Sequence, residues 1–230
     1  MLFNILLQIT AAQSELGIEN VDVPEATDSL TLIDLIMKGG IIMIPIFLLS
    51  FVAIYIIAER LMYIKKAAKN AASIVPSISS AVKSGDLGKA NAMLGKENSA
   101  VSAMISKGIS KIGNPIKQIE TSMEAVGKVE VMKMEKGLGL LGIIAAIAPM
   151  LGFVGTISGV IKIFYNISLA DNISIGLIAG GLYEKMVTSA AGLIVGIIAH
   201  TGYHYINIMI ENVVLKMEAA SLEFTELLTE

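Results

Sequence analysis

Cysteine and tryptophan are absent from this sequence, and histidine occurs only twice. That excludes disulfides, thiolate metal sites and cysteine nucleophiles. Charge is scarce as well: 16% of residues are Asp, Glu, Lys or Arg, while 54% are apolar. There is no P-loop, no Gly-x-Ser-x-Gly elbow and no carboxylate pair with plausible geometry. The glycines fall in apolar runs rather than in phosphate-cradling loops. The sequence therefore predicts neither an enzyme nor a protein with a resident metal or cofactor.

What is present is long stretches without charge. Residues 39–58, 137–161 and 186–210 carry no Asp, Glu, Lys or Arg. A spanning helix needs about 20 mainly apolar residues, so the sequence predicts an all-α integral membrane protein with three transmembrane helices. Of 17 basic residues, 13 lie between Arg60 and Lys136. The positive-inside rule places that segment in the cytoplasm. The expected order is a periplasmic segment at 1–38, a first membrane helix at 39–60 and a cytoplasmic helical domain at 61–136. A second membrane helix follows at 137–163, a periplasmic turn at 164–174, a third membrane helix at 175–207 and a cytoplasmic C-terminal helix at 208–230. The basic segment is interspersed with acids, which favours a solvated helical surface over a nucleic-acid site.

Residues 1–14, "MLFNILLQITAAQS", read equally well as a signal-like segment and as an amphipathic helix on the outer surface. Residues 15–28 are acidic and loop-like, and Ser29 or Thr31 is placed to cap the helix that follows. Pro45 is expected to bend the first membrane helix slightly. Glu59 and Arg60 sit where that helix should leave the bilayer, with Arg60 able to snorkel and Glu59 to pair with a neighbour. Within 66–136, apolar residues recur at helical spacing, and breaks are expected at Gly85-Asp86, Gly95 and Gly113-Asn114-Pro115. From Ile116 the pattern runs on to Gly137, which predicts one long helix continuing into the second membrane span. Ile206, Met209, Ile210, Val213, Met217, Ala220 and Phe224 predict a similar extension of the third span. The two extensions can pack side by side.

The second span has a narrow face of Gly152, Gly155, Thr156 and Gly159. Small residues let helix backbones approach, and in lipid such packing replaces the hydrophobic drive. Pro149 frees a backbone carbonyl that a neighbour must satisfy. Three helices so slight on one side bury little, so an oligomer is expected. Thr156 on its own would bond the carbonyl four residues back. In the third span Glu184 is the exceptional residue. If the helix enters the bilayer near Ile175, Glu184 lies about 13 Å deep and Thr156 about 10 Å from the same side. If it enters at Met186, Glu184 and Lys185 are interfacial anchors. A submerged carboxylate is costly and marks an ion path by default. Thr188 shares its face, Ser189 lies about 100° further round, and Lys185 pairs with it or snorkels. His200 and His204, an i, i+4 pair beside Tyr203 and Tyr205, read first as part of an interfacial belt and only second as a metal or proton site.

"IAAIAPMLGFVGTISGVIKIF" (144–164) followed by "GGLYEKMVTSAAGLIVGIIA" (180–199) resembles the proton-channel core of the MotA/TolQ/ExbB family. "ERLMYIKK", "KSGD" and "MEKGLGLLGIIAAIAP" extend the likeness to about three quarters of the chain. Three spans with one large loop are most similar to the ExbB and TolQ branch, and to ExbB within it. The resemblance implies a homopentamer whose second and third helices line a pore around an ExbD-like dimer of single-span helices. Proton flow would turn pentamer and partner against each other and act on a TonB-like protein. It implies Glu184 as the pore glutamate, Thr156 as its second-helix threonine and Ser189 in place of a third-helix threonine. A TolQ-like duty in envelope maintenance and a non-conducting membrane scaffold are the alternatives. His204 in place of an Asn, and Lys185 in place of an apolar residue, depart from the family pattern.

Overall fold

Helices account for all the regular secondary structure among the described residues of a computed structural model, which are 40–97, 99–169 and 175–229. The side chains of Ile175, Leu177 and Glu184 lie outside that set, as do the segments 1–14 and 15–28, the caps expected at Ser29 and Thr31, and residues 170–174. Helix α1 spans Met43–Ala67 and is followed by a 3-10 turn, Ala71–Ser73. Four helices come next: α2 (Ile74–Lys83), α3 (Leu87–Leu94), α4 (Ala100–Ile109) and α5 (Ile116–Glu135). The long helices α6 (Leu138–Leu169) and α7 (Ile175–Thr229) complete the chain. Three stretches, in α1, α5–α6 and α7, are long and apolar enough to cross a bilayer.

The short helices end where the turn residues demand. Gly85 takes a left-handed φ of 74° after α2, and the Asp86 carboxylate caps α3 by accepting from the Lys89 N–H at 2.9 Å. Ser99 and Ser102 form a reciprocal capping box at the start of α4. Gly113, at φ 99°, turns the chain before Pro115 opens α5. Pro45 falls in the first turn of α1, three residues into the helix. Its missing N–H would have had no partner there, so the bend expected from it is not required.

The unbroken helix expected from Ile116 into the second span is interrupted. Lys136 turns extended, with φ −53° and ψ 125°, and Gly137 takes φ 85° before α6 begins. A side chain rarely tolerates that φ, and glycine does so without strain. At its far end α6 remains helical to Leu169, past the point at 163 where the sequence suggested a turn. The third span does continue as one helix, 55 residues from Ile175 to Thr229.

Helix α1 runs antiparallel to α6 and parallel to α7. Ile42 approaches Gly155, Ile56 approaches Gly137, and Ile57 packs on Gly202. Beyond the joint, α5 and the second half of α7 lie side by side, as their apolar faces predict, with α4 packed against both, Gly108 beside Met123 and Phe224. Ile105, Met123 and Phe224 are all fully buried there. Burying such a side chain contributes roughly 1.5–3 kcal/mol.

Candidate functional site

The seam between α6 and α7 is built from backbone meeting backbone. A Cβ added to Gly192 would lie 2.5 Å from the Ala148 carbonyl oxygen and 3.0 Å from the Gly152 Cα. One added to Gly152 would lie 3.0 Å from the Ser189 Cα, and one added to Gly155 2.9 Å from the Thr188 Cγ2. Gly196 packs on the Pro149 ring, and a Cβ there would lie 3.2 Å from the Ala145 carbonyl, the group that Pro149 deprives of its helical donor. Gly152, Gly155 and Gly159 thus lie where a Cβ would meet Ser189, Thr188 and the Lys185 stem of α7. Their counterparts on α7, Gly192 and Gly196, were not picked out from the sequence. Their own small-x-x-x-small spacing was the signal that could have found them.

Polar groups lie within this tight seam. Thr188 is completely buried against Gly155. The Thr156 hydroxyl lies 3.2 Å from the Gly152 carbonyl of its own helix and 3.2 Å from the Lys185 carbonyl of α7. The local bond within α6 and the partner across the seam therefore coexist on one hydroxyl. This bond puts Thr156 level with the residue next to Glu184, whose side chain is outside the described ones. Ser189 is half-buried, with its backbone against Gly152. The Lys185 side chain is partly buried, and its methylene stem lies across Gly159.

Other candidates fall elsewhere. His200 and His204 stack edge to face with centroids 4.5 Å apart and are exposed on α7, and Tyr203 meets His204 at 5.3 Å. Among the described residues no group of three or more metal-ligating side chains occurs. Arg60 turns inward rather than outward. It is only 6% exposed and donates to the Lys133 carbonyl at 2.9 Å. Its Nε donates to Glu59 at 2.8 Å, its Nη2 pairs with the other oxygen of the same carboxylate, and its guanidinium stands over the Tyr63 ring at 5.2 Å. Glu59 pairs as expected, but Arg60 does not extend away from the protein as a snorkelling side chain would.

The arrangement has no nucleophile–base geometry among the described side chains. What it offers is a pair of closely packed apolar helices with the Thr156 hydroxyl reaching across the seam to the Lys185 carbonyl. The profile of the MotA/TolQ/ExbB proton channel family matches residues 96–219. An ExbB homolog, named for biopolymer transport, from Methanothermobacter thermautotrophicus is 30% identical over 82% of this chain and 67% of its own length. An ExbB-like biopolymer transport protein of Synechocystis sp. is 30% identical over 75% of this chain and 69% of its own. The biopolymer transport protein ExbB of Neisseria gonorrhoeae is 34% identical over 39% of each chain. A profile covering more than half of the sequence, and a relative of that breadth, lead to one assignment: the chain belongs to the MotA/TolQ/ExbB proton channel family and is most similar to its ExbB members.

Proposed function

We propose that this protein is the channel subunit of a bacterial inner-membrane motor that uses the proton motive force to energise TonB-dependent transport across the outer membrane. In this reading five copies surround a pore. Helices α6 and α7 line it, and an ExbD-like dimer of single-span helices stands inside, carrying its own membrane acid. The N-terminus is periplasmic and the C-terminus cytoplasmic, which keeps the basic segment at 60–136 inside. Glu184 takes and releases protons at the level where Thr156, Thr188 and Ser189 supply hydroxyls. Each proton that crosses delivers about 2.3 kcal/mol per 100 mV, so several are needed for one mechanical step.

The observation that carries this reading is the bond from Thr156 to the Lys185 carbonyl. It ties a hydroxyl of α6 to α7 beside Glu184, the one acid of the membrane helix expected at 175–207. A helix kept only for packing has no need of an acid there, and an acid within a span costs about 2.5–3.5 kcal/mol by insertion scales.

Vesicles containing the protein co-expressed with a single-span partner that bears a membrane aspartate provide the test. Glu184→Gln keeps the size of the side chain and removes its charge. Proton uptake under an imposed potential is expected to fall at least about tenfold, as expected when a general acid–base is lost. Unchanged uptake in Glu184→Gln and Glu184→Ala would leave the non-conducting scaffold as the better description. Restored envelope integrity without restored TonB-dependent uptake, in cells lacking their own subunits, would assign the TolQ-like duty instead.

A further inference from the structure

The joint between α5 and α6 lacks the closure seen at the ends of α1, α2, α3 and α4. A helix leaves its last four carbonyls without intrahelical donors. After α2, α3 and α4 the following backbone N–H turns back to supply one: Ser84 to Ser80 at 3.1 Å, Gly95 to Asn91 at 2.9 Å and Ser110 to Ser106 at 3.1 Å. After α5 the Lys136 backbone is extended, with ψ 125°, and leads straight into Gly137. The donor comes from another helix: Arg60 of α1 places Nη1 on the Lys133 carbonyl. One turn earlier on α1, the Ile56 Cγ2 lies 3.7 Å from where a Gly137 Cβ would be, an ordinary contact distance. Helix α1 therefore holds both sides of the joint, and Met134, Leu138 and Leu141 are buried around it.

We propose that Arg60 is a positioning residue for the channel helix, whose guanidinium caps α5 and fixes the Lys136–Gly137 joint at one angle, so that α6 meets α7 with Thr156 at the Lys185 carbonyl. The two-residue joint, with a glycine at positive φ, is the hinge, and Arg60 is its clamp. Lysine cannot serve in its place. The guanidinium fork reaches Glu59 through two nitrogens and Lys133 through a third while its face covers Tyr63, whereas an ammonium is a single point charge. A cation at a helix C-terminus also meets the negative end of the helix dipole, which holds the clamp on α5. The functional readout of this inference rests on the channel reading above; the structural readout does not.

The test uses the full chain with its partner in lipid nanodiscs and compares wild type, Arg60→Lys and Arg60→Ala by hydrogen exchange. In Arg60→Lys, amides 134–141 are expected to exchange about tenfold faster, as in local opening of one cooperative segment. Amides 210–224 and the mass of the assembly should not change. Proton uptake by vesicles carrying the same variant should fall at least about threefold, because a small misplacement of a channel group is enough to slow transfer. Unchanged exchange at 134–141 would overturn the inference. So would an acceleration spread evenly over α1, α4 and α7, which marks a residue needed merely to fold. Faster exchange at the joint with full proton uptake would refute the positioning role. If Arg60→Ala does not assemble, Arg60→Lys decides. If wild-type vesicles themselves take up no protons, the channel reading fails, and the clamp is judged on the exchange pattern alone.

Discussion

Helix α7 passes through two kinds of contact, and they use opposite side chains. In its first half Gly192 and Gly196 bring the backbone onto Ala148, Gly152 and Pro149 of α6. In its second half Val213, Met217, Ala220 and Phe224 are buried in a bundle that includes Met104, Ile105 and Met123. The difference follows from the surroundings. In water, burying a large apolar side chain is favourable in proportion to its area. In lipid the alternative neighbours are equally apolar, so helices gain mainly from close approach, which only small residues allow. One continuous helix therefore changes its packing chemistry as its charge content changes.

The largest expected effect lies in the bundle. Phe224 is fully buried, and its ring reaches the space beside Gly108. Phe224→Ala should remove about 4 kcal/mol of stability, the transfer and cavity terms together. The bundle would melt first, visible as loss of protection in α4, α5 and the end of α7, with the α6–α7 seam retained. Simultaneous loss in both halves would show that the two regions are one cooperative unit, and the contrast would then describe chemistry only.

Glycine substitutions sharpen the comparison because the same change should have opposite signs in the two regions. Gly192→Ala drives a methyl against the backbones of Ala148 and Gly152, which cannot step aside singly. A loss of about 2 kcal/mol is expected, within the range for overpacking, along with weaker assembly in mild detergent. Gly127, in α5, faces the tip of Met217, with a Cβ lying 3.3 Å from its Cε. Methionine can swing that methyl away, and alanine is the better helix former by about 1 kcal/mol. Gly127→Ala should therefore be neutral or raise stability by roughly 0.5 kcal/mol. Both are measured by unfolding of the purified protein followed by circular dichroism. Equal losses at the two positions would remove the distinction between seam and bundle.

The three apolar stretches were legible because charge is so sparing: runs as long as 137–161 can hardly be anything but spans. The turns at Gly85, Gly95 and Gly113 were legible from their own chemistry. The break at Gly137 was not, because the apolar periodicity passes through it without a change of phase. Only the left-handed φ shows that this glycine ends a helix rather than packing one. The inward turn of Arg60 was hidden for a similar reason. A charge at the end of a span reads as an interfacial anchor, and its partner, Lys133, is 73 residues away. The bond from Thr156 to the Gly152 carbonyl was legible from general helix chemistry, whereas its approach to the Lys185 carbonyl was not, because that partner is a backbone group 29 residues away on another helix.

The smallest effect is on the solvent side of the bundle, where Lys128 pairs with Glu124 at 2.7 Å across one turn of α5. The hydrogen bond from Lys128, and then its charge, hold the Glu124 carboxyl below its ordinary value of 4.5. A depressed folded-state pKa contributes stability that is present above the unfolded value and lost as pH falls through the folded one. Lys128→Met should therefore lower the melting temperature slightly near neutral pH. The gap to wild type should close as pH falls below 4.5. Both side chains are exposed, so salt should also narrow the gap. A gap that persisted in acid would point instead to lost contact between the Lys128 stem and its neighbours. In that case even the charged face of the bundle would owe part of its stability to packing, and the two halves of α7 would differ less than their side chains suggest.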